Sequence, residues 1–346
     1  MNSERTCSGK PRLVVMGGGT GTHMLLRGLC RYGDRYDIVA IVSMADSGGS
    51  TGRLRDEFGQ LPVGDVRNAL TALAMTEDTR GQLLRDLFLY RFSKGEGLSG
   101  HNFGNLFLTA LTDILGSEAA AIAATGHLLR IAGTVVPVTT SSVHLEATYD
   151  DGVVVRGEAQ IDNPPPARHQ NRIRTLTLSG PAPAYTEALT AIRGAALIVI
   201  SPGDLYTSLI PVVLPEGIAA ALGATVAPVV AVGNLMSRPG QTVGMNAGDH
   251  VREWSRYAGR LPDVLLVHEG EIPEILLAPY VAEREHPILL QGVPAGVRVV
   301  TTDLLWRPTP VELTLPQKHL VRHDSDKVAA ALLSLNLLSE DGRLLY

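Results

Sequence analysis

The chain has 346 residues, of which 45% are hydrophobic and 19% are charged, and this balance excludes an intrinsically disordered protein. Lys and Arg number 30 against 35 Asp and Glu, so the formal net charge of -5 argues against a broad nucleic-acid-binding surface. The two cysteines, Cys7 and Cys30, cannot form a disulfide framework, which fits a reducing compartment.

The N-terminus is polar, and residues 1–10 lack the apolar core of a signal peptide. No uninterrupted apolar stretch reaches the length of a membrane span. We therefore expect a cytoplasmic protein that has neither a membrane nor a nucleic acid as its partner.

Short apolar runs alternate along the chain with longer helical patterns. Runs that are rich in β-branched residues and apolar on both faces predict buried strands of a parallel sheet, here Leu13–Met16, Ile38–Val42, Leu197–Ile200, Val229–Val232 and Val264–Val267. Helical periodicity predicts His23–Tyr32, Val66–Met75, Gly81–Phe92, Gly104–Leu115, Glu118–Ile131, Tyr185–Arg193, Leu205–Leu214, Ala247–Tyr257 and Lys327–Leu338. This alternation predicts an α/β fold with helices on both faces of a mostly parallel sheet.

One segment interrupts the alternation. His144–Tyr149 and Val153–Ile161 read as two strands joined by an Asp-Gly turn, and Ile173–Leu178 reads as a third. We therefore predict a small antiparallel β insertion. The expected organisation is a disordered tail at 1–10, a first α/β part at 11–142, the insertion at 143–180 and a second α/β part with a C-terminal helix at 181–346.

A glycine-rich turn, Gly17–Thr22, separates the first strand from the first helix. Glycines let a ligand approach the backbone closely, and the N–H groups at a helix N-terminus favour an anion. The turn is not a Walker A motif, because Thr22-His23 stands where Lys-Ser/Thr is needed. It also departs from the G-x-G-x-x-G dinucleotide pattern, and a tight turn without a ligand is the alternative.

The second strand leads into Ser43–Arg53, a loop rich in glycines and hydroxyl groups. Asp46 could hold a divalent cation or a ribose hydroxyl, and Arg53 with backbone N–H groups could hold phosphate. Alternatively, Asp46 caps a following helix. Gly48–Gly52 matches G-x-S-x-G, but Ser50 lies several residues past the strand, which argues against a serine hydrolase.

Two later strands also end in small or polar residues, in Ser201–Ser208 and in Gly233-Asn234. Because the carboxyl ends of parallel strands face one crevice, these strand ends together predict an anionic ligand, a nucleotide or a phosphorylated sugar. Asp65 and Asn68 at one helix start, and Asn102 before another, offer further polar contacts, although Asn102 could simply be an N-cap. His319 and His323 lack the Glu of a zinc-protease motif, and we predict no metal site there.

These motifs resemble the gluconeogenesis factor (YvcK-like) family of the CofD superfamily, over nearly the whole chain after residue 10. The blocks that carry the resemblance are Gly17–Gly21, Ala45–Glu57, Pro62–Asn68, Gly100–Leu108, Ser201–Ser208, Arg238–Gly240, Asp249–Val251 and Arg322–Asp324. Where the family often has two acids, this chain has Asp46-Ser47, and Gln241, Val243 and Met245 replace two acids and an aromatic residue.

The resemblance implies a Rossmann-like fold and a UDP-sugar ligand, notably UDP-N-acetylglucosamine, in a regulatory protein linked to carbon metabolism, cell-wall synthesis and cell shape. The related CofD enzymes imply an alternative, transfer of 2-phospholactate from a guanylylated donor to a deazaflavin with Mg²⁺. A third reading, an NAD-dependent oxidoreductase, lacks the acidic ribose partner.

By motif position, the first glycine turn would cradle phosphate, and Asp46 would lie at the metal or sugar end. No catalytic residue is predicted, Mg²⁺ is expected only for a transferase, and a homo-oligomer is compatible with the sequence. The predicted nucleotide-binding residues are Gly18, Gly19, Thr20, Gly21, Asp46, Gly48, Gly49, Ser50, Arg53, Asp65, Asn68, Asn102, Asn105, Ser201, Gly203 and Asn234, with Asp46 also the candidate metal ligand.

Overall fold

The computed structural model describes residues 9–75, 78–309, 320–335 and 337, and within these ranges the strands form two sheets. The strands are β1 (Arg12–Gly17), β2 (Asp37–Val42), β3 (Thr134–Pro137), β4 (Leu145–Tyr149), β5 (Val154–Arg156), β6 (Ile173–Leu178), β7 (Leu197–Ile200), β8 (Val229–Val232), β9 (Val264–His268) and β10 (Arg298–Thr302).

The helices lie mostly between successive strands of the larger sheet. They are α1 (Gly19–Leu29), α2 (Gly49–Phe58), α3 (Gly64–Leu73), α4 (Thr79–Leu89), α5 (Phe103–Leu115), α6 (Glu118–Leu129), α7 (Glu158–Asp162), α8 (Thr186–Arg193), α9 (Ile218–Ala224), α10 (Ala247–Ala258), α11 (Glu274–Ala282) and α12 (Ser325–Ser334). Within the described residues, no helix is both long enough and apolar enough to cross a membrane.

The larger sheet has seven strands in the order β10-β9-β8-β7-β1-β2-β3, and all neighbouring pairs are parallel. β1 lies between β2 and β7, with Leu13 opposite both Ile38 and Leu197. The strand order reverses between β1 and β7, which is the topological switch point of a Rossmann-like sheet. The predicted fold class is confirmed.

The core is built on the central strands. Leu13, Val14, Val15 and Met16 of β1 are each 0% exposed. Since successive strand residues point to opposite faces, this burial requires helices on both faces of the sheet. Such an arrangement holds the backbone rigid up to the last residue of β1, where the candidate site begins.

The smaller sheet has the order β5-β4-β6 and is antiparallel, as predicted. Its second predicted strand, Val153–Ile161, was too long. The strand ends at Arg156, because Gly157 has φ +97°, and α7 follows. The sequence Glu-Ala-Gln after this glycine has good helix propensity, which favours a helix over further pairing.

Other predicted elements differ from the structure. Leu205–Leu214 contains only a π-helical turn over Leu205–Leu209, because Pro211 has no N–H to continue a helix. The helices α2, α7, α9 and α11 and the strands β3 and β10 were not predicted. Residues 1–8 of the tail predicted at 1–10, His319, and residues 336 and 338 of the predicted helix Lys327–Leu338 lie outside the described ranges.

The packing of α1 on α12 gives a test of this architecture. A Cβ on Gly28 would overlap the carbonyl oxygen of Ser325, whereas a Cβ on Gly223 of α9 would meet no atom within 4 Å. We expect Gly28→Ala to lower the free energy of unfolding by about 1–3 kcal/mol through overpacking. Gly223→Ala should raise it by about 0.5–1 kcal/mol, because Ala favours a helix more than Gly does.

Urea unfolding of both variants beside the parent measures these changes. Equal stability of Gly28→Ala and the parent would contradict the close contact between α1 and α12.

Candidate functional site

The carboxyl ends of β1, β2, β7 and β8 meet in one crevice at the switch point. The segments that follow these strands carry most of the predicted site residues, in Gly18–Gly21, Asp46–Arg53, Ser201–Gly203 and Asn234. The N-termini of α1 and α2 lie here as well, and the first N–H groups of a helix have no acceptor within it. The crevice therefore brings together the backbone N–H groups at the starts of two helices.

The first glycine turn is shaped around a carboxyl group. Gly19 has φ +66°, and its N–H donates to Asp65 Oδ1 at 2.8 Å. A Cβ on Gly18 would lie 2.5 Å from Asp65 Oδ2, so the glycine leaves room for this carboxyl. Thr20 is exposed. A phosphate at this turn would meet the N–H groups after Gly19 first, because the N–H of Gly19 is already bonded.

The start of α1 is locked to the loop after β7. Thr22 Oγ1 donates to the carbonyl of Gly18 at 2.9 Å and lies 2.7 Å from Ser201 Oγ, with both hydroxyls buried. A Cβ on Gly21 would overlap the carbonyl oxygen of Pro202. Gly21 therefore provides close helix–loop packing across the switch point. Thr22 was not predicted as a site residue.

Asp46 lies against backbone at the start of α2. Its Oδ1 accepts the N–H of Gly48 at 2.9 Å, and its carboxyl fills the space that a side chain on Gly64 would need. The N-cap of α2 is Gly48, so Asp46 holds the turn that leads into the helix. Its carboxyl is partly buried, and it lies on the Asp65 side of the crevice, since the two carboxyl groups interact electrostatically.

The β insertion contributes acidic residues that the sequence did not predict. The N–H of Ser47 donates to Glu158 Oε2 at 3.4 Å, and the N–H of Ala159 donates to Ser47 Oγ at 3.0 Å. At the other end of α7, Thr207 Oγ1 donates to Asp162 Oδ1 at 3.3 Å. The helix α7 thus joins the loop after β2 to the loop after β7, and its carboxyl groups face the crevice.

Burial changes the charge of these acids. It raises the pKa of Asp65 to about 7, and the neighbouring charge of Asp46 adds to the rise. Burial likewise raises the pKa of Glu158 to about 8, again with a contribution from Asp46. The pKa of Asp46 is also raised by burial, against hydrogen bonds from Gly48 and Thr51 that lower it. Around neutral pH the crevice therefore carries less negative charge than its acids suggest.

Arg238 organises the opposite side of the crevice. Its guanidinium contacts Asp162 at 3.0 Å, Asp204 at 3.5 Å and Glu285 at 3.6 Å. These acids come from α7, from the loop after β7 and from the segment after α11. One cation thus ties three segments together. Arg238 belongs to a block that supports the family resemblance, and that is the sequence signal that could have identified it.

Asn234 braces the loop after β7. Its Oδ1 accepts the N–H of Gly203 at 3.0 Å and its Nδ2 donates to the Gly203 carbonyl at 2.6 Å. Both ends of the amide are therefore engaged with backbone. The structure brings Asn234 to the crevice, but as a support for Gly203.

The remaining predicted residues form a network beside α2 and α3. Ser50 Oγ accepts the N–H of Asn102 at 3.2 Å, and Asn105 Nδ2 donates to Thr51 Oγ1 at 3.2 Å. Asn102 is the N-cap of α5, which matches the structural alternative for this residue. Asn68 Oδ1 accepts from Arg67, and the exposed Arg53 donates to the carbonyl of Ser99.

Ser43 Oγ after β2 and Asn105 Oδ1 are among the buried polar atoms that have no hydrogen-bond partner in the described residues. Ser43 lies next to the first turn, since a Cβ on Gly18 would be 3.3 Å from Ser43 Cβ. Buried polar groups are usually hydrogen-bonded. Both atoms can accept a hydrogen bond, which suits a polar ligand such as a sugar.

In the part of the chain that the structure describes, no group of three or more His, Cys, Asp or Glu side chains could hold a metal ion. Mg²⁺ is often bound through one or two carboxylates together with phosphate oxygens of a substrate. Asp46 and Asp65 meet that smaller requirement. A cation here would need a bound phosphate to complete its ligands.

The raised pKa values predict how stability depends on pH. Asp65 titrates near 3.8 when unfolded and at about 7 in the fold, so the folded chain binds more protons in this window. The free energy of unfolding should therefore fall as pH rises through it. Asp65→Asn keeps an acceptor for the N–H of Gly19 and removes the buried charge.

We expect the melting temperature of Asp65→Asn to fall less than that of the parent between about pH 4 and pH 8. Thermal unfolding across this range measures it, with Asp86→Asn, an exposed change on α4, as control. The same decline in Asp65→Asn and the parent would show that Asp65 is charged throughout.

Similarity to known proteins identifies the family of this chain. The profile of the CofD family, described as 2-phospho-L-lactate transferase CofD, matches residues 13–305. A protein of Nostoc sp. is 42% identical over 328 residues, which are 93% of this chain and 68% of the Nostoc protein. The gluconeogenesis factor of Bacillus subtilis is 37% identical over 334 residues, covering 94% of this chain and 98% of that protein.

The crystal structure of a Bacillus halodurans protein of the UPF0052 family superposes with a TM-score of 0.83 at 36% identity, covering 94% of this chain and 99% of that chain. Both kinds of comparison extend across the glycine-rich strand ends and the β insertion, and the CofD family implies a ligand of the nucleotide type. The chain belongs to the CofD family, within its gluconeogenesis factor branch.

Proposed function

We propose that the protein is a nucleotide-sugar-binding regulator of the gluconeogenesis factor type that works in the cytoplasm. Its ligand resembles UDP-N-acetylglucosamine, and its role is linked to carbon metabolism, cell-wall synthesis and cell shape. The observation that carries the proposal is the crevice at the switch point, where two helix N-termini and unsatisfied polar atoms meet. The match to the gluconeogenesis factor of Bacillus subtilis, which covers 98% of that protein, supports it.

Different parts of the crevice suit different parts of such a ligand. The N–H groups at the starts of α1 and α2 suit the phosphates. We assign the phosphates to Thr20, Gly21, Gly49 and the exposed Arg53, since the N–H of Gly19 already donates to Asp65. Ser43 Oγ and Asn105 Oδ1, both buried and unpaired among the described residues, suit sugar hydroxyls, which can donate to both. Asp46 lies between these regions and can accept from a hydroxyl or bind a cation.

The alternative is a transferase of the CofD type that uses a guanylylated donor and Mg²⁺. The observation that favours it is the pair of carboxyl groups of Asp46 and Asp65 beside the phosphate turn. A magnesium ion bound there would balance charge on the phosphate oxygens. The protein's own part would be to hold the donor phosphates on the helix N-termini.

Ligand binding tests the proposal directly. A ligand at about 100 times its Kd adds about 2.7 kcal/mol to the free energy of unfolding. We expect UDP-N-acetylglucosamine to raise the melting temperature by several degrees in a thermal-shift assay, and NAD to leave it unchanged. Thermal shifts with GDP and with GTP test whether the protein binds a guanine nucleotide instead. An unchanged melting temperature with every nucleotide at saturating concentration would contradict the proposal.

Substitution of Asp46 distinguishes the regulator hypothesis from the transferase hypothesis. If Asp46 accepts from a sugar hydroxyl, Asp46→Asn should weaken nucleotide-sugar binding by about 1.5–3 kcal/mol with or without Mg²⁺. If it holds Mg²⁺, the variant should lose the dependence of binding on Mg²⁺, while metal-free affinity stays the same or improves because a negative charge near phosphate is gone. If it only holds the turn before α2, binding should not change.

Calorimetry of the parent and of Asp46→Asn, each with and without Mg²⁺, distinguishes these outcomes. Asp86→Asn is a suitable control, since that residue is exposed on α4. Product formation from a guanylylated donor in the presence of Mg²⁺ would decide for the transferase.

A further inference from the structure

A second cavity adjoins the crevice beyond β8. It has a volume of about 480 Å³ and lies between the ends of β8 and β9, the first turn of α10, and α11. Asn234 and Gly233 line it, and Asn234 also holds Gly203 at the crevice. Asn234 therefore lies between the cavity and the loop after β7. We call the cavity the ring pocket.

The walls of the ring pocket are mainly apolar, with Leu235, Leu277 and Ile288 among the lining residues. Of the described residues that line it, none is Lys or Arg, and the acid Glu271 is exposed. A phosphate or carboxylate would find no countercharge there. An apolar pocket with a few placed polar groups suits an uncharged ligand group.

Two histidines supply those polar groups. His268 at the end of β9 has a side chain that is only 6% exposed. Its Nδ1 accepts the N–H of Leu304 at 3.2 Å, which in the neutral ring places the proton on Nε2. This Nε2 is buried and has no hydrogen-bond partner among the described residues. The ring thus presents an unused donor.

His250 on α10 adds a second unpaired nitrogen. Its Nε2 is also buried without a partner among the described residues, and burial lowers the pKa of His250 to about 4. Burial also lowers the pKa of His268. Both rings are consequently neutral near pH 7, in agreement with a pocket for an uncharged group. His323 supports the wall, because its Nε2 lies 3.1 Å from the Gly233 carbonyl.

The position of the pocket relates it to the crevice. The phosphate-binding turn at the start of α1 follows β1, while the pocket lies at β8 and β9, two to three strand spacings or about 10–14 Å away. This separation is on the scale of a nucleoside diphosphate. A base with carbonyl and ring-nitrogen acceptors would satisfy the His268 donor, and its flat faces would pack on the apolar walls.

We propose that the ring pocket binds the uncharged base of the nucleotide, with His268 Nε2 donating a hydrogen bond to it. The inference rests on the proposed nucleotide function and specifies which end of the ligand lies where. It assigns His268 and Leu277 to base recognition, and it orients the ligand from the glycine turns across Asn234 toward α11.

Two variants test the pocket in different ways. His268→Asn keeps an acceptor for the N–H of Leu304 and removes the donor at Nε2. Leu277→Trp fills the cavity. His127→Asn, an exposed change on α6, serves as control. Calorimetry of all four proteins with UDP, with GDP and with inorganic diphosphate compares the whole nucleotide with its phosphate part.

The parent should bind at least one of the two nucleotides. For that nucleotide, we expect His268→Asn to lower affinity about three- to tenfold, as for one lost hydrogen bond, and Leu277→Trp to lower it by at least about tenfold. Affinity for inorganic diphosphate should stay unchanged in both variants. Thermal unfolding without ligand shows whether each variant is folded. If Leu277→Trp does not fold, the nucleotide affinity of His268→Asn alone tests the proposal.

The inference and the proposed function fail in different ways. If the parent binds neither nucleotide, the proposed function fails and the inference fails with it. If the parent binds a nucleotide and folded His268→Asn and Leu277→Trp bind it equally well, the inference is overturned and the function stands. An equal loss of diphosphate affinity would also overturn it, because the effect would then act through the crevice.

Discussion

The structure depends on the close approach of backbone across the switch point. The start of α1 reaches the loop after β7 only because Gly21 has no side chain to meet the carbonyl of Pro202. The paired hydroxyls of Thr22 and Ser201 then connect the two strand ends. With β1 and β7 joined in this way, a helix N-terminus and a glycine loop face the same space.

Placing carboxyl groups next to helix N-termini sets a second constraint. Asp65 and Asp46 fit beside Gly18 and Gly64 because the two glycines lack a Cβ. The glycines therefore leave space for the carboxyl groups as well as for a ligand. Two close carboxylates in a partly buried site repel each other, and burial raises the pKa of both. An anionic ligand can enter such a site when the acids are protonated or when a cation accompanies it. The choice between these two is the physical difference between a regulator and a magnesium-dependent enzyme.

Much of the fold could be predicted from the sequence, because the central strands are continuous β-branched runs between long helical patterns. The edge strands were harder. β3 has only two valines between Thr134 and Pro137, and β10 at the far edge is partly exposed, so neither has the apolar run of a central strand. The helix α7 was hidden in a strand-like pattern, and the left-handed Gly157 that ends β5 cannot be identified from composition alone.

The candidate site was predictable in outline because glycine-rich turns at strand ends are local motifs. Its partners were not, since they depend on distant contacts. Glu158 reaches Ser47 across 111 residues of chain, and Arg238 reaches Asp162 across 76. The predicted residues lie close together, yet several of them, such as Asn102 and Asn234, use their side chains to hold backbone. Sequence motifs located the crevice, whereas tertiary packing decided which side chains remain free for a ligand.

The charge of the side chains also changes along the carboxyl edge of the sheet, from β2 to β9. At β1 and β2 the edge offers helix N-termini and ionisable acids, and in the middle Arg238 binds three carboxylates. At β8 and β9 it offers neutral histidines and apolar walls. A ligand charged at both ends would leave its second charge unpaired in that apolar region, at a cost that burial makes large. A ligand with one anionic end and one neutral end, such as the proposed nucleoside diphosphate, avoids this cost.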